Sequence, residues 1–149
     1  MHRKTICLAA VCAALLVCIL AYFRPLSFSG VVGEDAELQM VLSTFRVDNG
    51  RPFIDVAEYK TITQEQHSSL LSALGQHSYR RTFGTPFSDG TANDVGEKML
   101  SVHVFDGLSG VNSITITSAG HVLINDKSYA MQDAARLIEQ LVGVVEQTG

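Results

Sequence analysis

Between Thr5 and Phe23 the chain runs through nineteen residues without a charge, dominated by Ile, Leu, Val, Ala and Cys. A helix of that length covers about 28 Å, close to the hydrocarbon thickness of a bilayer. Residues 5–23 are therefore expected to cross a membrane once. Arg3 and Lys4 precede the run, and the chain after Arg24 and Pro25 turns acidic at Glu34, Asp35 and Glu37. Positive charge concentrated on the first flank puts that flank in the cytoplasm. The expected division is residues 1–24 as cytoplasmic tail and signal-anchor helix, 25–33 as a short flexible linker, and 34–149 as one extracytoplasmic domain. Tyr22 and Phe23 fall at the outer interface, where amphipathic rings are favoured, and Pro25 ends the helix.

Two other fates of this segment are open. Ser27 and Ser29 are small residues at the spacing of a signal-peptidase site before Gly30, which would make the run a cleaved secretory signal. Leu15, Leu16, Val17 and Cys18 approximate a lipidation motif, with Val17 bulky where such motifs carry a small residue. All three fates leave the rest of the chain outside the cytoplasm.

Beyond the linker, Leu38, Val41, Leu42 and Phe45 fit helical spacing, while Val41, Ser43, Phe45 and Val47 fit a strand leading into Asp48-Asn49-Gly50. A return run from Arg51 to Ile62 carries Phe53, Ile54, Val56, Tyr59 and Ile62 and favours the strand. An Asn-Gly pair between such runs predicts a β-hairpin. Thr63 with Gln66 makes a capping box, and His67, Leu70, Leu71 and Leu74 mark one helical face up to Gly75. Residues 76–83 read as a strand. A polar stretch of fourteen residues, Gly84 to Glu97, follows with Pro86, Asp89-Gly90 and Asn93-Asp94; loops of that length are functional or mobile. Leu100, Val102 and Val104 alternate with Ser101 and His103, predicting a strand that turns at Asp106-Gly107. Three more follow, around Ile114 and Ile116, Val122 and Ile124, and Tyr129, joined by short turns into an antiparallel meander. Asp133 is placed to cap a helix whose stripe is Leu137, Ile138, Leu141, Val142 and Val145. The fold class is thus α+β: a transmembrane helix, then a mostly antiparallel sheet with a C-terminal helix packed across one face.

Charge adds to this picture. The net charge of −4 hides an asymmetry, since Arg3, Lys4 and Arg24 flank the apolar run and leave eight basic against fifteen acidic residues elsewhere. An acidic domain repels phosphate at long range, so neither nucleic acid nor a peripheral lipid-binding face is expected. All three cysteines, Cys7, Cys12 and Cys18, lie within the apolar run, so the domain has no disulfide, cysteine zinc site or thiol chemistry.

Candidate chemistry is sparse. His67, His77, His103 and His121 invite a metal, but no His-x-x-x-His pair occurs. His67 reads as a partly buried structural imidazole, and His103 and His121 could face each other on neighbouring strands. Asp89, Asn93, Asp94 and Glu97 miss the spacing of a calcium loop. There is no Gly-x-Ser-x-Gly elbow, no Ser-x-x-Lys step and no glycine-rich strand-to-helix turn. No cofactor, metal or catalytic residue is assigned. One cluster stands out: Tyr79, Arg80 and Arg81 beside the long loop holding Phe83 and Phe87, a cationic and aromatic group on an acidic domain and of types that favour recognition surfaces.

The stretches Val56 to Leu74 and Leu100 to Leu141, notably Ile124-Asn125-Asp126-Lys127-Ser128-Tyr129, resemble small uncharacterised extracytoplasmic domains of Gram-positive bacterial lipoproteins and single-pass membrane-anchored proteins. The resemblance covers about half of the chain. It implies the fold and an extracytoplasmic location, and it assigns no catalytic residue. Such families commonly carry a lipobox cysteine, whose counterpart here would be Cys18.

The function expected from the sequence is a non-catalytic binding or interaction module at the cell envelope, anchored in the cell membrane through residues 5–23, with a protein or envelope polymer as partner. Two alternatives stand beside it. One is a structural or assembly role of the membrane helix, whose Ala9, Ala10, Ala13 and Ala14 form a small-residue face. The other is a hydrolase acting on the envelope.

Overall fold

The computed structural model describes residues 2–32, 36–57, 59–92, 94–106 and 110–146; for residues 2–6, 106, 110 and 111 it describes the backbone. The expected domain start at Glu34, the loop residue Asn93, the turn residue Gly107 and the side chains of Arg3 and Lys4 lie outside the described set.

The apolar run forms helix α1 (His2–Tyr22). Every side chain from Cys7 to Ala21 is exposed, and the cysteines are free. Among the described residues no helix is long and apolar enough to cross a membrane.

Of the segment expected to be a flexible linker, residues 26–32 are folded onto the domain. Leu26–Ser27 is strand β1, and Phe28–Gly30 is a 3₁₀ turn with Ser27 Oγ accepting from the Ser29 N–H at 3.2 Å. Phe28 is fully buried and Val32 nearly so. Glycines and serines around them masked two apolar residues at the spacing of one turn, and burying a phenylalanine outweighs the tendency of its neighbours to stay mobile.

Next come β2 (Glu37–Asp48) and β3 (Arg51–Val56), paired from Asp48 opposite Arg51 to Ser43 opposite Val56. Asn49 and Gly50 have φ of 51° and 74°, the doubly positive pair that a two-residue hairpin turn demands. Strand β4 (Lys60–Thr61) continues along the same edge of β2. Helix α2 (Gln64–Gly75) begins with the expected capping box: Gln66 N–H donates to Thr63 Oγ1 at 3.3 Å, and Thr63 N–H to Gln66 Oε1 at 2.9 Å. Gln66 also donates from Nε2 to the Val145 carbonyl at 3.3 Å, tying this helix to the end of the last one.

The strand expected over 76–83 is reduced to β5 (Ser78–Tyr79), which pairs with β1, plus a single bridge between Arg80 and Ala130. Its partner offers only two residues, and past Arg80 the chain turns instead, with Thr82 N–H donating to Thr85 Oγ1 at 2.8 Å ahead of a 3₁₀ turn at Thr85–Phe87. The meander follows as expected: β6 (Lys98–Asp106), β7 (Gly110–Thr117), β8 (His121–Ile124) and β9 (Lys127–Ala130), closed by α3 (Ala134–Glu146). The main antiparallel sheet has the order β3-β2-β6-β7-β8-β9, with β4 on β2. The architecture is α+β, with helices at both ends of the chain and one within it.

One face of the sheet, with Leu38, Met40, Leu100, Val102, Val104, Ile114, Ile116, Val122 and Ile124, packs with Leu70 and Leu74 of α2 and Leu137, Ile138, Leu141 and Val145 of α3. Phe28, Val32, Tyr79 and Met131 belong to the same core. On the opposite face polar groups pair locally, as Ser101 Oγ with Thr115 Oγ1 at 3.0 Å.

Phe28→Ala is expected to destabilise the domain by about 3–5 kcal/mol, read from urea unfolding. A fragment starting at residue 25 should be markedly more stable than one starting at residue 30. The longer fragment should melt at the same temperature with or without reductant and chelator.

Candidate functional site

Of the candidate residues, Arg81 is the one that meets α1, through Tyr22. Phe23 N–H still donates to the Ile19 carbonyl, at 3.1 Å, so the helical path reaches Phe23 before Pro25 ends it. β1 then runs antiparallel to β5, with Leu26 opposite Tyr79. This pairing lays the last turn of α1 against residues 81–83.

Three contacts cross the junction, and a fourth braces the helix end itself. The Tyr22 hydroxyl donates to the Thr82 carbonyl at 3.2 Å. The Arg81 guanidinium lies 5.5 Å from the centre of the Tyr22 ring, a cation–π distance. Phe23 packs edge-on against Tyr22 at 5.0 Å and against Phe83 at 4.8 Å. Phe83 nonetheless remains 82% exposed, and Phe87 is 88% exposed.

Of the sequence candidates, Tyr79 leaves the surface: it is only 6% exposed, between Phe28 at 4.8 Å and Tyr129 at 4.9 Å. Alternation explains this correction. Tyr79 points inward from a strand whose next residue, Arg80, points outward. Burial raises the Tyr79 phenol above its ordinary 10.0, with Tyr129 adding to the rise and Arg81 opposing it. Arg80 is exposed, its backbone exchanging hydrogen bonds with Ala130 at 2.8 and 2.9 Å. Arg81 is half-buried and committed to Tyr22. Phe87 is free. The sequence places Tyr22 and Phe23 at the helix end and Phe83 beside the two arginines, but it carries no signal that these two groups meet.

The long loop is strapped to the sheet. Thr85 Oγ1 donates to the Ser128 carbonyl at 2.7 Å, and Ser128 N–H donates back to Ser88 Oγ at 2.9 Å. At the far end Ser118 Oγ accepts from the Glu97 and Lys98 amides at 2.9 and 3.0 Å. Gly96, at φ +66°, lies so flush that a Cβ there would stand 2.9 Å from the Ala119 nitrogen. The loop carboxylates serve local turns: Asp89 Oδ1 accepts from the Thr91 hydroxyl at 2.6 Å and amide at 3.1 Å, which lowers its pKa, and Asp94 Oδ1 accepts from the Gly96 amide at 2.9 Å.

No family model matches the chain. No curated protein and no solved structure matches it either, so nothing in these comparisons bears on family membership.

The histidines are dispersed. His103 lies between Gln39 and Ser113 while His121 pairs with Ala130, so β7 separates the two, which corrects the expected facing pair. His103 sits against Tyr59 at 5.9 Å, and His77 Nε2 bonds Gln140 Oε1 at 2.8 Å. His67 is half-buried, with Nε2 enclosed and without a partner among the described residues. Among the described residues no three groups of metal-ligating type lie together.

A second exposed apolar region is the β2–β3 arm, where Val47, Phe53, Ile54, Val56 and Tyr59 are 43–75% exposed. β3 is the edge of the sheet. Pro52 sits opposite Val47, one pair beyond the turn-flanking pair of Asp48 and Arg51, where the backbone nitrogen points away from β2. No ladder bond is lost to the proline, and the edge is blunted against unspecific strand addition.

Because the phenol of Tyr79 is raised in the fold, its contribution to stability is complete below about pH 10 and is lost as pH rises through the raised value. Tyr79→Phe should keep the ring packing and stay within about 1 kcal/mol of the parent at neutral pH. It should also lose less stability between neutral pH and pH 11 in denaturant titrations. Arg80→Ala should change neutral-pH stability by less than about 0.5 kcal/mol.

Proposed function

We propose that this chain is a single-pass membrane-anchored protein whose domain is a non-catalytic interaction module on the outer side of the membrane. The observation that carries the reading is the character of α1. Its described apolar side chains, Leu8, Val11, Leu15, Leu16, Val17, Ile19 and Leu20, are 51–65% exposed around the whole helix, and the domain clasps only its last turn. A helix apolar on all sides has no polar face to give to water, and a bilayer satisfies it. The aromatic pair at its end suits the outer interface, and Arg3 and Lys4 favour the cytoplasm for the other end.

The interaction role is supported by what the domain's reactive groups are doing. Its bonded hydroxyls hold turns and strand pairs, as at Ser88, Ser101, Thr85 and Ser118, and its histidines stand apart from one another. The β2–β3 arm offers a protein partner an apolar surface on a rigid two-stranded element, with Arg46 and Asp55 in an ion pair at 3.3 Å across it. Val47, Ile54 and Val56 share one face of the arm by register, while Phe53 lies on the other under Arg46, and exposed apolar groups gathered on one face mark protein contacts.

A reporter active only in the cytoplasm, fused after Gly149, should stay silent, and one active only outside should report. The reverse pattern would overturn the orientation. Equal activity of the cytoplasmic reporter in the membrane-free fraction would overturn anchoring itself.

A further inference from the structure

We infer that Phe83 and Phe87, with Arg24 and Arg81 at the helix end beside them, form a foot by which the domain rests in the outer phospholipid leaflet of the membrane its own helix crosses. This deepens the anchoring proposed above and rests on it.

Depth is the first argument. Phe23 closes the helix, so on the anchoring reading its ring lies at the boundary between acyl chains and headgroups. Phe83 touches that ring at 4.8 Å and so shares its depth. Phe87 follows four residues later, no more than about 13 Å along the chain, and its amide donates to the Gly84 carbonyl at 2.9 Å in a closed 3₁₀ turn. Neither ring is free to retreat: Thr85 between them is buried and bonded to the Ser128 carbonyl at 2.7 Å. Two phenylalanines held outward by a rigid turn are costly in water and favoured at the acyl–headgroup boundary.

Charge is the second argument. The domain as a whole is acidic, yet residues 1–33 contain no carboxylate, and Asp89 is the only one between Arg80 and Gly90. Asp89 is itself engaged by Thr91. Arg24 follows Phe23 in the chain and is exposed, and Arg81 is held over Tyr22, whereas Arg80 opens onto a groove it shares with Gln132 and Asp133. Guanidinium groups at this level donate to lipid phosphate oxygens while their stems lie along apolar surface. The overall negative charge, which argued against a lipid-facing surface, averages over a local patch of the opposite sign. On this reading the same acidity drives the remainder of the domain away from an anionic leaflet and leaves the foot as the lowest point.

The chain contains no tryptophan, so a single introduced indole reports its own depth. The full chain would be placed in phospholipid nanodiscs as three separate variants, Leu16→Trp, Phe87→Trp and Phe53→Trp, with lipids brominated either near the carbonyl or deep in the acyl chain. The expected result is quenching of Leu16→Trp by deep bromines, blue-shifted emission and quenching of Phe87→Trp by shallow bromines, and no quenching of Phe53→Trp. Water-like, unquenched emission from Phe87→Trp with Leu16→Trp quenched would overturn the foot and leave the anchor standing. Loss of quenching at both positions would overturn both. Quenching of Phe53→Trp as strong as that of Phe87→Trp would put the domain on its side and overturn the foot.

Discussion

Phe28 sits with no exposed surface against Tyr79, in the one core that also holds the inner face of the sheet and both packed helices. Two residues before it, Leu26 opens a strand that pairs with β5, and three residues before that strand Phe23 ends the helical path. A two-stranded ribbon this short has no stability of its own. It persists because the phenylalanine at its end is buried, and the burial turns what looks like a tether into a strut. The seating of the last turn of α1 on residues 81–83 depends on that strut, as does the inward setting of Tyr79.

The strut gives functional meaning to residues that otherwise look miscellaneous. A mobile stalk would let the domain sample any height and orientation above a membrane, and the exposure of Phe83 and Phe87 would carry no geometric information. With β1 paired to β5, Arg81 and Phe83 are held against Tyr22 and Phe23 at the helix end. The apolar β2–β3 arm then belongs to the same body and is presented in one orientation. On the anchoring reading the chain is a bracket: one arm in lipid, a foot at the surface, and a hairpin held out for a partner.

Much of the fold was legible because local signals agreed with global packing. Asn49-Gly50 specified its turn, Thr63 and Gln66 their cap, and the alternation from Leu100 to Ile124 its strands, each of which the structure contains. The failures share a physical cause. Residues 25–32 and 76–83 are short pieces whose conformation is set by partners distant in sequence, so neither helical nor strand period identifies them. The serines and glycines around Phe28 suggested mobility, whereas its burial under Tyr79 depends on a contact about 50 residues away along the chain. The same non-locality misplaced the candidate site. Tyr79 and Arg80 are adjacent in sequence, but strand alternation sends one to the core and the other to solvent, and only the pairing partner decides which. Nothing in the sequence placed Phe83 against Phe23, since sixty residues separate them.

The central claim is that the N-terminal helix and the domain form one rigid body through the buried strut. Backbone ¹⁵N relaxation of the full chain in lipid nanodiscs or micelles measures this directly, by comparing rotational correlation times of amides in α1 with those in β6, β7 and α3. One shared correlation time for helix and domain is the predicted result. A domain tumbling several-fold faster than the helix would show a flexible stalk and contradict the account.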